Sequence, residues 1–272
     1  MTSRIQSLAL AAFCAASLPL AAHACSGPGQ VHVSNIFPSG EVLPENTLRL
    51  YLYFSAPMGH GEILPKLALY DRNGQLVDGA FLSNRFDLWS PDRTRLTLIF
   101  DPARVKTGLE AHEALGRALE PGGAYTLSLG RSATDAQGCH LAQAFNHSFT
   151  VGPADLSPPD PATWQIEPPV AGSTAPVTVR LGSVHDHLSM AYRIRVRTSE
   201  GAVLPGQIAL LDAETGWQFH PAEPWSGREY RISVDPRLED LAGNRPGRLF
   251  DQPIDAETEP PVLDRPFLPR SN

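Results

Sequence analysis

Two histidines and an aspartate stand together at His185-Asp186-His187, the tightest grouping of metal-ligating side chains in the sequence. On a strand, residues i and i+2 project from the same face, so both imidazoles could reach one metal ion. A complete site needs a third and a fourth ligand, and no other histidine or cysteine lies nearby in the sequence. A solvated loop accounts for the same residues. We therefore expect no cofactor and keep metal binding at this position as an alternative.

The N-terminal region offers a second arrangement for a metal ion. Cleavage after Ala22 would place His23 at the terminus, where an amine and an imidazole together are a good chelate for copper(II). Small periplasmic copper-carrier sandwiches resemble the chain in this feature, although they are single domains. Catalytic motifs are missing, because the sequence has no G-x-S-x-G elbow, no H-E-x-x-H pair and no phosphate-binding loop. We predict that the protein is not an enzyme.

Residues 1–24 have the pattern of a secretory signal peptide. Arg4 precedes an apolar stretch that ends at the small-x-small sequence Ala22-His23-Ala24. We therefore predict an exported protein, either periplasmic or extracellular. In an oxidising compartment Cys25 and Cys139 could form a disulfide. Alternatively Cys25, which directly follows the apolar stretch, could be acylated and anchor an outer-membrane lipoprotein.

The charge balance narrows the choice of partners. The 272 residues carry a formal net charge of −7 and contain no run of basic residues. Nucleic acid and anionic membrane surfaces are therefore poor partners. After the signal peptide no segment is apolar enough to predict a transmembrane span.

Alternation of apolar and polar residues dominates the rest of the sequence. Between residues 48 and 55, alternate residues are expected on opposite faces of a strand. One face would carry Leu48, Leu50, Leu52 and Phe54, and the other Arg49, Tyr51, Tyr53 and Ser55. This period of two is typical of a strand with one buried face. Short strands separated by glycine, proline and asparagine turns predict β-sandwiches. Residues 102–119 are the exception, because their i, i+4 apolar pairs predict a short helical insertion.

A proline-rich segment divides the chain. Four prolines between residues 152 and 161 favour an extended, semi-rigid backbone. We predict an all-β protein with two tandem immunoglobulin-like sandwiches at residues 30–152 and 164–255, joined by a linker at 153–163. The helical insertion belongs to the first sandwich. Residues 256–272 are expected to form a C-terminal tail.

The two predicted sandwiches contain an internal repeat. In each copy a tyrosine is followed ten residues later by an aspartate and three residues after that by a glycine: Tyr125, Asp135 and Gly138, then Tyr230, Asp240 and Gly243. An aspartate before a glycine turn usually accepts hydrogen bonds from the N–H groups of that turn. The tyrosines are expected to be buried with an anchored hydroxyl. All six positions are therefore interpreted as structural.

The tryptophans allow two interpretations. Packing in the core or between domains is the simpler role for Trp89, Trp164, Trp217 and Trp225. An exposed aromatic row would instead indicate a carbohydrate-binding module. Trp89 and Trp217 occupy comparable places upstream of the two repeats, which suggests equivalent positions.

Two segments resemble a known family. Phe54-Ser55-Ala56-Pro57-Met58 and Asp240-Leu241-Ala242-Gly243-Asn244 resemble the strand end and the closing turn of the bacterial immunoglobulin-like domain first described in S-layer proteins. The resemblance covers about residues 33–151 and, more loosely, 164–252, where Arg180 to Asp186 replaces the first motif. It implies a sandwich, export, and a surface or adhesion role without catalytic activity.

We therefore expect a non-catalytic module that mediates protein interaction or structural spacing in the cell envelope. Its partner would be an unidentified envelope protein or polysaccharide. A periplasmic copper-binding protein and a carbohydrate-binding module remain as alternatives.

Overall fold

The computed structural model describes Cys25 and residues 30–82, 87–105, 116–211, 213–251 and 262–271. These residues form fifteen strands in four sheets, and each sheet takes its strands from one half of the chain. The prediction of an all-β protein with two sandwiches is confirmed. The predicted signal peptide lies outside the described residues.

The first sandwich contains eight strands. One sheet has the order β1 (Val33–Phe37), β3 (Arg49–Phe54), β6 (Arg95–Ile99) and β5 (Leu88–Trp89). The other has the order β2 (Val42–Pro44), β8 (Phe145–Gly152), β7 (Ala124–Leu129) and β4 (Leu67–Asp71). The pair β2 and β8 is parallel. In immunoglobulin terms the strand orders are A-B-E-D and A′-G-F-C.

The second sandwich repeats this topology with seven strands. One sheet has the order β9 (Gln165–Glu167), β10 (Val177–Arg180), β13 (Gly216–Pro221) and β12 (Gly206–Leu211). The other has the order β11 (Ile194–Thr198), β14 (Tyr230–Val234) and β15 (Leu263–Phe267). These are the A-B-E-D and C-F-G sheets of an immunoglobulin-like domain.

Helices are short. Helix α1 (Pro102–Val105) starts the predicted insertion, whose residues 106–115 lie outside the described part of the chain. At the other end of the insertion Leu119 is buried in the core of the first sandwich. Helix α2 (His187–Arg193) connects β10 to β11, and 3-10 turns occur at Leu64–Lys66 and Pro161–Thr163.

Strand β15 corrects the predicted tail. Its five residues pair antiparallel with β14, so the final strand of the second sandwich comes from the segment expected to lie outside it. Phe267 is buried against Trp225 and Tyr230. Pro266 lacks an N–H group but fits here because β15 is an edge strand.

The outer face of β3 is covered rather than solvated. Leu50 and Leu52 point into the first core, as their alternation predicts. Tyr51, on the opposite face, is also buried. Its hydroxyl donates to the Asp186 carboxylate in the second sandwich, with an O–O distance of 2.7 Å. The two sandwiches therefore pack against each other through this face.

The proline-rich segment is tied to both sandwiches. Strand β8 ends at Gly152 and β9 begins at Gln165. Between them the carbonyl of Asp155 accepts hydrogen bonds from the side-chain amides of Asn46, at 2.9 Å, and Asn244, at 3.0 Å. One backbone oxygen thus joins the linker to a residue from each sandwich.

Candidate functional site

The repeated aspartates hold equivalent turns. One carboxylate oxygen of Asp135 accepts from the amides of Gln137 and Cys139, at 2.9 and 2.8 Å. One oxygen of Asp240 accepts from the amides of Ala242 and Asn244, both at 2.9 Å. In both turns the aspartate accepts from the amides two and four residues later. These amides lie in the turn and have no partner on a neighbouring strand of the described chain, so the carboxylate supplies one.

The glycines and tyrosines of the repeat also have matching roles. Gly138 and Gly243 have φ angles of +82° and +76°, where glycine avoids the steric cost of a Cβ atom. The hydroxyls of Tyr125 and Tyr230 accept from the amides of Glu120 and Ser226, each at 3.0 Å. These residues hold equivalent turns and strands of the two sandwiches in place.

His185 occupies in the second sandwich the position that Met58 occupies in the first. Met58 and His185 form antiparallel bridges to Asp135 and Asp240, the two repeated aspartates. His185 is completely buried, its Nδ1 lies 3.0 Å from the Ser183 carbonyl, and its Nε2 has no partner within the described residues. Burial lowers the pKa of His185 to about 4, so the ring is neutral at pH 7.

Asp186 and His187 begin a helix. Asp186 caps α2 by accepting from the Ser189 amide at 2.8 Å. The His187 ring stacks on Phe37 of the first sandwich with a centroid separation of 3.7 Å. Its Nε2 lies 3.0 Å from the Tyr53 hydroxyl. Burial, followed by the nearby Arg95 charge, lowers the pKa of His187 to about 4.

The strand arrangement that would bring both imidazoles to one metal ion is not formed at 185–187, and the segment is not a solvated loop either, because His185 and Asp186 are buried. An aspartate between two histidines looks like strand alternation, but here the aspartate is a helix N-cap, which turns the chain. His185 packs edge-on against Trp164, whereas His187 contacts the first sandwich. In the described part of the chain no three His, Cys, Asp or Glu side chains are placed to hold a metal ion. His23 lies outside that part.

Glu214 links the sandwiches at a strained turn. Ala213 and Glu214 have φ angles of 51° and 63°, in the left-handed region that disfavours residues other than glycine. The buried Glu214 carboxylate accepts from the amide and the hydroxyl of Ser39, both at 2.8 Å. Burial raises its pKa. Such backbone strain persists only where surrounding contacts hold the residue, and here the contact is made with the other sandwich.

A charged cluster completes the interface. Arg49 of β3 donates to Glu239 at 2.6 Å and lies 3.7 Å from Asp186. Arg245 binds the other oxygen of Glu239 at 2.7 Å. Burial raises the pKa values of Tyr51 and Asp186, although Arg49 and Tyr51 partly oppose the shift of Asp186. No sequence motif marked Ser39, Arg49, Glu214 or Glu239, because each has a partner in the other sandwich.

Cys25 and Cys139 form a disulfide with a Cα separation of 5.1 Å. The bond ties the segment before β1 to the repeated turn that Asp135 holds. A sulfur atom in a disulfide cannot also carry the thioether of a lipoprotein anchor. This geometry therefore favours the first of the two roles that the sequence left open for Cys25.

The tryptophans do not form an exposed row. Trp164, Trp217 and Trp225 are buried in the second core. Trp89 packs against Phe54 and lies under the guanidinium of Arg93, 4.8 Å from the ring centroid. Trp89 is on β5 and pairs with Leu96, whereas Trp217 is on β13 and pairs with Leu210. The expected equivalence of Trp89 and Trp217 is therefore wrong: Trp217 corresponds to Leu96.

Strand order and the repeated turns define both halves as immunoglobulin-like sandwiches. No family model matches the sequence, and no curated protein matches it. No helix of the described residues is long and apolar enough to cross a membrane.

Solved structures with low similarity include immunoglobulin-like and macroglobulin domains. The MG0-NIE-MG1 fragment of native alpha-2-macroglobulin from Escherichia coli is 14% identical, with a TM-score of 0.29 and coverage of 74% of this chain and 65% of that one. The four N-terminal Ig domains of Dscam1 isoform 6.44 are 12% identical, with a TM-score of 0.22 and coverage of 73% and 45%. The chain thus spans less than two thirds of either structure.

Proposed function

We propose that this protein is an exported, non-catalytic module of the cell envelope. Its two immunoglobulin-like sandwiches would act as one rigid body that binds another envelope component. The observation that carries the proposal is the packed interface, in which Tyr51, His187 and Glu214 all have partners in the opposite sandwich. Flexible tandem domains need no such contacts, whereas a rigid pair can present a surface made by both domains.

The described polar groups at the interface support a structural role. The Asp186 carboxylate binds Tyr51 and caps α2, and the Glu214 carboxylate binds Ser39. A general base must instead reach a proton on a substrate. The Cys25–Cys139 disulfide supports export, because such bonds persist in oxidising compartments.

Photocrosslinking in the native cell tests the proposal. A photoreactive amino acid would replace Tyr192, on α2 beside the interface, or Val42, on the first sandwich; both are 61% exposed. We expect a specific adduct from position 192 and none from position 42, identified by mass spectrometry. Equal labelling at both positions, or none, would contradict a protein partner bound beside the interface.

The intact mass of the exported protein tests whether the signal peptide is removed and whether Cys25 forms the disulfide or carries a lipid. We expect the mass of the chain without residues 1–24, less two hydrogens for the disulfide. A diacylglycerol increment at Cys25 would show a lipoprotein instead.

A further inference from the structure

A groove of about 440 Å³ lies along the junction of the sandwiches, at the N-terminal end of β3 and beside α2. Four arginines from three separate segments line it, and we call it the arginine groove: Arg49, Arg193, Arg237 and Arg245, with Tyr192 at its rim. Only two acidic residues, Asp186 and Glu239, are among the lining residues. The volume matches a small-molecule or sugar site rather than the surface of a folded partner.

The charges in the groove are opposite to those of the whole protein. The chain has a net charge of −7, whereas the lining has four guanidiniums against two carboxylates. A third carboxylate, Asp235, lies behind the lining and binds Arg193 at 3.0 Å and Arg237 at 2.9 Å. With Asp235 included, four guanidiniums stand against three carboxylates among these residues. An anion is therefore the electrostatically complementary occupant.

The pairing around Glu239 explains how the groove can accept an additional anion. Glu239 is shared between Arg49 and Arg245, which approach different oxygens at 2.6 and 2.7 Å. Two guanidiniums have ten N–H donors between them, far more than one carboxylate accepts. The shared carboxylate holds both side chains in place, so little rotamer entropy is lost when they bind a ligand.

Tyr192 indicates what carries the negative charge. Tyr192 is 61% exposed and lines the groove, although large aromatic residues are more often covered. An aromatic face beside guanidiniums suits the apolar C–H face of a sugar ring that bears a planar carboxylate.

We propose that the arginine groove binds a negatively charged saccharide, with its carboxylate on Arg245 and a sugar ring against Tyr192. This inference rests on the proposed envelope function and specifies its partner. The site includes Arg49 of the first sandwich and Arg245 of the second, so ligand binding requires the packed arrangement of both domains.

Calorimetric titration of the purified, disulfide-intact chain tests the inference. The probes are trigalacturonic acid, the neutral maltotriose and inorganic phosphate. We expect binding of the acidic trisaccharide that weakens as salt is raised, no binding of maltotriose, and weaker binding of phosphate. Equal binding of the neutral sugar, equal binding of phosphate, or no binding of the acidic sugar would overturn the proposal.

Matched variants locate the site. Arg245→Gln should weaken binding of the acidic sugar at least tenfold, because a charge-assisted pair is lost. Arg231→Gln is the control, since Arg231 is equally exposed at 41% but lies on β14 outside the groove. Tyr192→Ala should weaken sugar binding while leaving phosphate binding unchanged. Equal affinities for the Arg245 and Arg231 variants would overturn the assignment.

The outcomes separate this inference from the proposed function. A crosslink from position 192 to an envelope protein, together with no saccharide binding, would retain the envelope module and reject the saccharide. No crosslink together with saccharide binding would reject the protein partner and retain the groove.

Discussion

Both sandwiches place a left-handed residue at the same point of the turn between the equivalent strands D and E, which are β5 and β6 in the first and β12 and β13 in the second, but the two side chains go to different domains. Arg93 has a φ of 56° and its carbonyl accepts from the Met58 amide at 3.0 Å. Glu214 has a φ of 63° and its carbonyl accepts from the His185 amide at 3.1 Å. Arg93 donates to the Met58 carbonyl of its own sandwich, whereas Glu214 binds Ser39 of the other.

The closing turns show the same divergence. Backbone amides of Asp135 and Asp240 donate to the carbonyls of Cys139 and Asn244, which makes these two residues equivalent. Cys139 is joined covalently to Cys25. Asn244 instead donates to the linker carbonyl of Asp155 and to Asp240. The repeat conserves backbone geometry, and its side chains anchor one turn to the N-terminus and the other to the linker.

Removing the disulfide should cause the largest loss of stability among the changes that compare the two turns. The bond closes a separation of 114 residues, and its loss in Cys25→Ser/Cys139→Ser should lower the free energy of unfolding by about 2–5 kcal/mol. The equivalent change in the second sandwich, Asn244→Ser, should cost about 1–2 kcal/mol because hydrogen bonds are lost. Urea unfolding of both variants measures the difference. Equal losses would show that the two turns are anchored with similar strength.

The two equivalent glycines should respond differently to alanine. A Cβ atom at Gly138 meets nothing within 4 Å, so Gly138→Ala costs only the left-handed strain of about 1–2 kcal/mol. At Gly243 the new atom would collide with Leu48 of the first sandwich and press on Phe250. Gly243→Ala should therefore cost about 2–4 kcal/mol. Thermal unfolding measures both variants; a smaller loss at 243 than at 138 would argue against close packing of the sandwiches.

Lowering the pH should affect stability through His185 but not through the equivalent Met58, because only the histidine takes up a proton. The folded pKa of His185 is about 4 instead of 6.5, so below pH 6.5 the unfolded chain takes up the proton first. Stability should fall as the pH drops from 6.5 to 4, by at most about 3 kcal/mol from this residue.

His185→Met should remove that part of the pH dependence, as measured by urea unfolding at pH 4.5 and 7. The reciprocal Met58→His should introduce a similar acid loss into the first sandwich. Identical pH profiles for wild type and His185→Met would contradict a buried neutral histidine.

The smallest effect concerns the Ser39 hydroxyl. Ser39→Ala removes one of the two hydrogen bonds to buried Glu214 and should cost about 1 kcal/mol. Ser34→Ala, on exposed β1, removes a 3.3 Å bond to the Tyr53 carbonyl and should be close to neutral. Equal values in chemical denaturation would show that the Ser39–Glu214 contact adds no stability.

Sequence patterns predicted the elements better than their assembly. Period-two alternation identified β3 because one of its faces lies in the first core. The same pattern leaves open whether Tyr51 meets water or protein, since tyrosine suits both. The helix N-cap role of Asp186 was not predicted, because an aspartate between two histidines fits a strand or a solvated loop equally well. Strand β15 was missed although Leu263, Arg265 and Phe267 alternate, because Pro266 weakened a strand prediction.

The candidate site was predictable only in fragments. His185, Asp186 and His187 were singled out for their chemistry, and Asp186 and His187 do lie at the interface. Their partners Tyr51, Phe37 and Tyr53 are more than a hundred residues away, so no local spacing reveals them. Glu214 gave no signal because left-handed strain is a property of the folded backbone.

The central claim is that the two sandwiches form one rigid body, and double electron–electron resonance tests it most directly. Nitroxide labels at Val42→Cys and Val203→Cys would sit on exposed positions of different sandwiches, with the native disulfide intact. We predict a single narrow distance distribution at neutral pH. A broad or multi-peaked distribution for the labelled, otherwise unaltered protein would contradict the claim.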